Sequence, residues 1–198
     1  MTRLRLAIFI SGRGSNMDAI LKAAEDETYP AEPVLVISNK PDAKGLETAR
    51  DAGIHALAID HRPFGKDREA FERQIDDALK QTRVQIIALA GFMRVLTPWF
   101  VGRWAGRLIN IHPSLLPKYP GLKTHQRALE AGDSEAGCTV HWVSEGVDEG
   151  EIIAQAAIPI RENDTAETLA ARVLIEEHRL YPEALALACD QIKQQLSE

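Results

Sequence analysis

The chain has 198 residues, 45% of them hydrophobic and 26% charged, a composition ordinary for one well-buried globular domain. A formal net charge of -6 at pH 7 argues against a nucleic-acid-binding surface and against polybasic attachment to a membrane. The two cysteines, Cys138 and Cys189, stand in no ligand-like spacing; they give no basis for a disulfide framework and fit a reducing compartment.

Met1 to Ile10 carries Arg3 and Arg5 before an apolar run too short to span a bilayer. No small-residue cleavage site follows, so a cytoplasmic protein is expected. Leu6 to Ile10 reads as a strand buried on both faces. A Gly-containing turn over 11–16 and a helix over 18–24 come next, then a strand from Pro33 to Ser38. A helix over 43–52, which Gly53 can end, precedes a short strand from His55 to Ile59. Phe71, Ile75 and Leu79 recur at intervals of four within 67–80, which places them on one helical face. Val84 to Ala90 is the most hydrophobic strand candidate, and Gly91 ends it. This alternation predicts parallel βαβ units with right-handed crossovers: a doubly wound, mostly parallel α/β sheet with helices on both faces.

Past residue 106 the rhythm changes. Arg107 to Ile111 reads as the end of a strand. The segments 139–143 and 152–160 read as two strands with no helix between them, an antiparallel extension in the C-terminal half. Asp164-Thr165-Ala166-Glu167 resembles a capping box opening a long final helix, which Pro182 should kink or split. No repeat, low-complexity tract or Pro/Gly-rich linker appears, so 1–198 is expected to be a single domain of two lobes, 1–105 and 106–198.

The most informative stretch is Asn110-Ile111-His112-Pro113-Ser114-Leu115-Leu116-Pro117. The strand period of two sends Asn110 and His112 to one face, and Pro113, which cannot donate a ladder hydrogen bond, should end the pairing. An amide and an imidazole then point into the crevice beyond the strand's carboxyl end, where open α/β sheets bind ligands. Asp148 follows another predicted strand and could partner the imidazole; an adjacent carboxylate favours imidazolium, which can stabilise an oxyanion. Each residue alone has a structural explanation, but the trio points to an enzyme.

Ser11-Gly12-Arg13-Gly14-Ser15-Asn16 lies between the first strand and helix, where glycines permit a tight turn and helix N-terminal amides can cradle a phosphate. The dinucleotide fingerprint is incomplete there, and a plain capped turn is the alternative. Gly91-Phe92-Met93-Arg94-Val95-Leu96 is either a packed turn or an apolar slot for a flat ring. His125 and His141 could join His112 around a metal, but irregular spacing without an HExxH pattern leads us to expect none. No GxSxG elbow supports covalent catalysis.

With these motifs in place, the chain resembles the phosphoribosylglycinamide formyltransferases of purine biosynthesis. The resemblance runs from Ile8-Phe9-Ile10-Ser11-Gly12-Arg13-Gly14-Ser15-Asn16 through Ala90-Gly91-Phe92-Met93-Arg94 and Asn110 to Gly121. It continues through Gly137-Cys138-Thr139-Val140-His141 and Asp148-Glu149-Gly150 to Glu177-His178. It implies a Rossmann-like phosphate-binding lobe followed by a catalytic and folate-binding lobe. It also implies 10-formyltetrahydrofolate as co-substrate and formyl transfer to the glycinamide amine, with a catalytic trio of Asn110, His112 and Asp148. Gly14, Ser15, Asn16, Leu174 and Glu177 would bind the phosphoribosyl substrate. Arg68, Met93, Arg94, Val95, Leu96, Asn110, Ser144, Glu145, Gly146, Val147 and Asp148 would bind folate, with Arg68 near its glutamate tail. Two positions depart from the pattern: Leu174 replaces a frequent polar residue, so that only its amide could contribute, and Glu149 replaces a frequent glycine.

The implied partners are small molecules, with no nucleic acid, membrane or metal, in a monomer or homodimer. Formyltetrahydrofolate hydrolase and methionyl-tRNA formyltransferase share the catalytic module but usually carry an extra N-terminal or C-terminal domain. With the first motif at Ile8 and the last residue at Glu198, neither addition is expected. A non-catalytic nucleotide-binding module would account for the first 60 residues but not for Asn110, His112 and Asp148.

Overall fold

The computed structural model describes residues 3–196. Its centre is a seven-stranded sheet in the order β3-β2-β1-β4-β5-β6-β7. β1 (Leu4–Ile10), β2 (Ala31–Ser38), β3 (His55–Ala58), β4 (Ile86–Leu89) and β5 (Leu108–His112) run parallel. β6 (Glu135–Trp142) and β7 (Ile152–Pro159) add to the β5 edge antiparallel, which is the extension expected of the C-terminal half.

The period-two alternation of β1 separates two apolar layers. Leu4, Leu6, Ile8 and Ile10 face a layer built with α1 (Ser15–Ala23), α2 (Gly45–Asp51) and α6 (Ala166–Gln195). Ala7 and Phe9 face the opposite layer, filled by Phe71, Ile75 and Leu79 of α3 (Arg68–Gln81) and Phe100 and Val101 of α4 (Pro98–Arg103). Both faces of the parallel strands are therefore covered, as the continuous apolar runs require. A last short helix, α5 (Thr124–Glu130), lies between β5 and β6.

Several boundaries differ from the sequence reading for identifiable reasons. α1 begins at Ser15 rather than Asp18, so Ser15 and Asn16 belong to its first turn; Gly14, in the left-handed conformation at φ 76°, starts the helix early. Asp67 is the N-cap of α3, its side chain accepting from the Ala70 amide. The cap of α6 is Thr165, and its reciprocal partner is Thr168, not an acid; Asp164 instead accepts from the Thr168 hydroxyl. Pro182 neither ends nor splits α6, which is one helix of 30 residues. The bond lost at its nitrogen is outweighed by a buried face running through Leu180, Tyr181, Ala184 and Leu185 on both sides of it.

Tyr181 ties this helix to the sheet. Its ring is fully buried and its hydroxyl donates to the Leu89 carbonyl at 2.8 Å, at the carboxyl end of β4. Tyr181→Phe should lower the unfolding free energy by about 1 kcal/mol, the usual net worth of one buried hydrogen bond. Urea denaturation checks this: a lower midpoint at unchanged slope is expected, and an unchanged midpoint would show the bond to be idle.

Candidate active site

The sheet order reverses between β1 and β4, and three functional segments emerge at the carboxyl ends around that point. The 11–14 turn leaves β1, the 91–97 loop leaves β4, and Asn110 and His112 close β5. A cleft of about 590 Å³ opens here, lined by Gly91 to Leu96 on one wall and by Val143 to Asp148 on another, with Asn110 and His112 at its base. A cleft this size suits a small-molecule ligand. Met93 and Val95 are largely exposed in it, whereas Phe92 and Leu96 anchor the loop in the core.

The β5 register accounts for the placement of Asn110 and His112. Both project to the same face, and His112 is buried at 6% exposure. The loop 143–151 folds back over that face, permitted by Gly150: a Cβ there would lie 1.5 Å from the Trp142 carbonyl oxygen. Asp148 takes the left-handed conformation, φ 57°, which aspartate tolerates better than most residues. Its Oδ2 stands 3.3 Å from His112 Nδ1 and accepts from the Gly121 amide at 2.9 Å. His112 and Asp148 are thus neighbours, with Asn110 lining the same cleft, and His112 uses its other ring nitrogen to donate to the Tyr119 carbonyl at 2.9 Å. Both ring nitrogens of His112 therefore face oxygen atoms.

His141 belongs to the same cluster, although the sequence reading gives it no part in the site beyond a place in a matched segment and a rejected metal site. It lies opposite Asn110 in the antiparallel β5–β6 pair. Nδ1 of His141 donates to the Trp142 carbonyl at 2.9 Å, and its Nε2 faces Asn110 Nδ2 at 3.4 Å and Asp148 Oδ1 at 3.7 Å. Burial works against the Asp148 charge, but the His141 ring, the Gly121 amide and the His112 charge together outweigh it, holding the carboxyl below the ordinary aspartate range. Of the two rings His112 is the closer. Because this value is depressed on folding, the stabilisation is present above the ordinary aspartate value of 3.8 and is lost as pH falls through the folded one. His125 also lines the cleft, yet among the described residues no group of three His, Cys, Asp or Glu side chains is placed to hold a metal ion.

Beside the cleft lies the start of α1, where sequence suggested an anion site. Gly14 precedes α1 with no side-chain cap, so the first amides of the helix have no partner from a capping group. Asn16 is buried, donates to Glu177 Oε2 at 2.7 Å, and keeps its own Oδ1 buried with no partner among the described residues. Burial pushes the Glu177 carboxyl up, against the opposing pull of the Asn16 amide and the His112 charge. Glu177 is therefore within electrostatic reach of the His112 ring. Leu174 lies one turn earlier on α6, and its amide sits in the helix interior rather than at a free terminus, which removes the donor role that sequence left to it.

Arg68 does not line the cleft wall; its guanidinium donates to the Val95 carbonyl at 3.3 Å from behind the loop. Arg94 stacks its guanidinium 5.4 Å from the Phe71 ring centre. Ser144, Glu145, Gly146 and Val147 line the cleft, and the Glu149 carboxylate fills the space beside Gly146.

The uncapped start of α1 and a cleft lined by Asn110, His112 and Asp148 thus lie together at the switch point of an open α/β sheet, the usual ligand position in such folds. Residues 4–185 match the formyl transferase family, and the chain belongs to it. It is 44% identical over 187 residues to the phosphoribosylglycinamide formyltransferase of Escherichia coli strain K12, covering 94% of this chain and 88% of that one. It is 52% identical over 198 residues to the trifunctional purine biosynthetic protein adenosine-3 of Drosophila pseudoobscura pseudoobscura, covering 99% of this chain but 14% of that much longer protein. The crystal structure of phosphoribosylglycinamide formyltransferase from Brucella melitensis superimposes with a TM-score of 0.90 at 54% identity, covering 95% of this chain and 96% of that one.

Glu177→Gln separates the two burdens that this buried acid carries. A raised carboxyl value on folding means that stability is lost as pH rises from the ordinary glutamate value of 4.5 through the folded one. The glutamine retains an acceptor for Asn16, so the variant should melt higher than wild type at pH 7, with the gain vanishing below pH 4.5. Melting curves at both pH values check this; a variant no more stable at pH 7 would mean that the Glu177 charge is fully compensated.

Proposed function

We propose that the protein transfers the formyl group of 10-formyltetrahydrofolate to the amine of 5'-phosphoribosylglycinamide, giving the N-formyl product and tetrahydrofolate in de novo purine biosynthesis. The observation that carries this reading is the Asp148 carboxylate, 3.3 Å from His112 and 3.7 Å from His141, at the base of a cleft that adjoins the start of α1. Family membership and the similarity to named phosphoribosylglycinamide formyltransferases support the choice of reaction.

In this reading Gly14, Ser15 and Asn16 hold the substrate phosphate on the α1 amides, and Glu177 binds the same substrate, with Leu174 beside it as an apolar contact. Met93, Arg94, Val95 and Leu96 hold the folate ring against the wall formed by Ser144, Glu145, Gly146, Val147 and Asp148, and Arg68 meets the glutamate tail. The substrate amine attacks the formyl carbon, and the electron pair of the carbonyl moves onto its oxygen. Asn110 donates to that oxygen. His112 adds charge assistance once its Nε2 exchanges the Tyr119 carbonyl for the oxyanion. Asp148 stabilises the imidazolium and helps the proton lost by the attacking nitrogen pass to the departing folate nitrogen as the carbon–nitrogen bond breaks. Holding both reactants side by side removes much of the entropic barrier. No metal takes part; the partners are the two small molecules, in a cytoplasmic protein acting as monomer or homodimer without nucleic acid or membrane.

Loss of a charged oxyanion donor typically costs about 100-fold or more in turnover. His112→Ala and Asp148→Ala should each reach that loss while keeping the wild-type fold by circular dichroism; near-normal turnover by either would remove it from the mechanism. Wild type should release tetrahydrofolate only when the glycinamide amine is present, and release that ignores the amine would make the protein a hydrolase.

A further inference from the structure

Behind the 91–97 loop sits a buried acid that the reaction does not use. Glu72, on α3, is 1% exposed. Its Oε1 accepts from the Thr97 amide at 2.7 Å, and its Oε2 accepts from the Thr97 hydroxyl. That hydroxyl oxygen in turn accepts from the Phe100 amide as the N-cap of α4. Burial pushes the Glu72 carboxyl up while the two bonds from Thr97 pull it back. An acid is a costly way to cap a short helix, since threonine already provides the cap.

The loop shows what the acid holds. Met93 is fixed by its amide donating to Ser11 Oγ at 2.8 Å, Val95 by its carbonyl accepting from Arg68 at 3.3 Å, and Thr97 by Glu72. Alternate residues of the loop are thus bonded to the protein. Among the described residues, the main-chain groups of Arg94 and Leu96, which line the cleft between these pins, have no hydrogen-bond partner. The segment bends at Arg94, so the bonds to Met93 and Val95 on either side of it and to Thr97 beyond Leu96 fix the path of the intervening backbone. Pinning one set from behind therefore fixes the direction in which the other set is offered to a ligand.

We propose that Glu72 is a positioning residue: through Thr97 it locks the 93–97 segment so that the free main-chain groups of Arg94 and Leu96 present a rigid hydrogen-bonding edge to the ring of the formyl donor. The inference rests on the proposed reaction for the identity of that ring, but the pin itself does not. Glu72 touches neither substrate and should act on one of them only. Ser11 is the opposite anchor; its hydroxyl also donates to Asn39 Oδ1 at 2.5 Å, tying that end to the residue that follows β2.

Two readouts on the full chain separate the pin from the reaction. Glu72→Gln keeps one acceptor for the Thr97 amide but none for its hydroxyl, and Glu72→Ala removes both; Thr97→Ser keeps every bond and serves as the conservative control. Amide hydrogen exchange should quicken at 93–97 in the order wild type, Gln, Ala, with β1 and β5 unchanged; Thr97→Ser should match wild type. Unchanged exchange at 93–97 in both Glu72 variants overturns the pin, whatever the substrate. In steady-state assays the KM for 10-formyltetrahydrofolate should rise about tenfold in Glu72→Ala, the loss expected for a bond to a charged group. The KM for the phosphoribosyl substrate and kcat should stay near wild type. A folate KM that stays put, or both KM values and kcat moving together, overturns the positioning role. Should Glu72→Ala fail to fold, the Gln variant carries both measurements with a smaller shift. Absence of wild-type turnover refutes the proposed reaction and leaves the exchange result to decide the pin.

Discussion

The molecule is arranged around keeping one carboxylate charged in a half-buried place. Asp148 would be expensive there alone, because burial raises the cost of its charge. Donors from three separate parts of the chain meet that cost: the Gly121 amide from the segment after β5, His112 from the end of β5, and His141 from β6. The backbone contributes strain of its own, since Asp148 sits at φ 57°, a conformation that costs most non-glycine residues about 1 kcal/mol or more. Such strain persists only where the surroundings over-determine it, and it is common at functional sites.

The sheet makes this meeting geometrically available. Its parallel half ends at a switch point and leaves two open elements side by side, the α1 terminus and the loop after β4. The antiparallel half brings the 143–151 loop across the same end of the cleft. Asn110 and His112 then lie between these elements, and in the proposed reaction one substrate occupies each side of them. α6 links the two halves: Glu177 holds the first turn of α1 through Asn16, and one turn further on Tyr181 holds the end of β4.

Much of this was legible in the residues. The apolar runs of β1 and β4, the four-residue spacing of Phe71, Ile75 and Leu79, and the period of two joining Asn110 to His112 each follow from local geometry that tertiary contacts did not override. What failed depends on register or on long-range packing. His141 could not be assigned because only the antiparallel pairing sets it opposite Asn110, although Thr139 and His141 already share a face by the strand period. α4 escaped notice despite a usable signal, Thr97 followed by Pro98 at the first helical position. α5 gave none, since Lys123 precedes it in a left-handed conformation without a side-chain cap. Pro182 misled because local chemistry disfavours it in a helix, whereas the buried stripe on either side decides the outcome.

The claim beneath everything else is that Asp148 is held ionised by its neighbours, and its own titration measures that most directly. Carboxyl-carbon NMR of the folded protein with labelled aspartate should show Asp148 titrating below the ordinary value of 3.8, the direction set by the His141 ring, the Gly121 amide and the His112 charge. A titration at or above 3.8 would contradict the account, because burial would then have won and the imidazole would face a partner without the charge assigned to it.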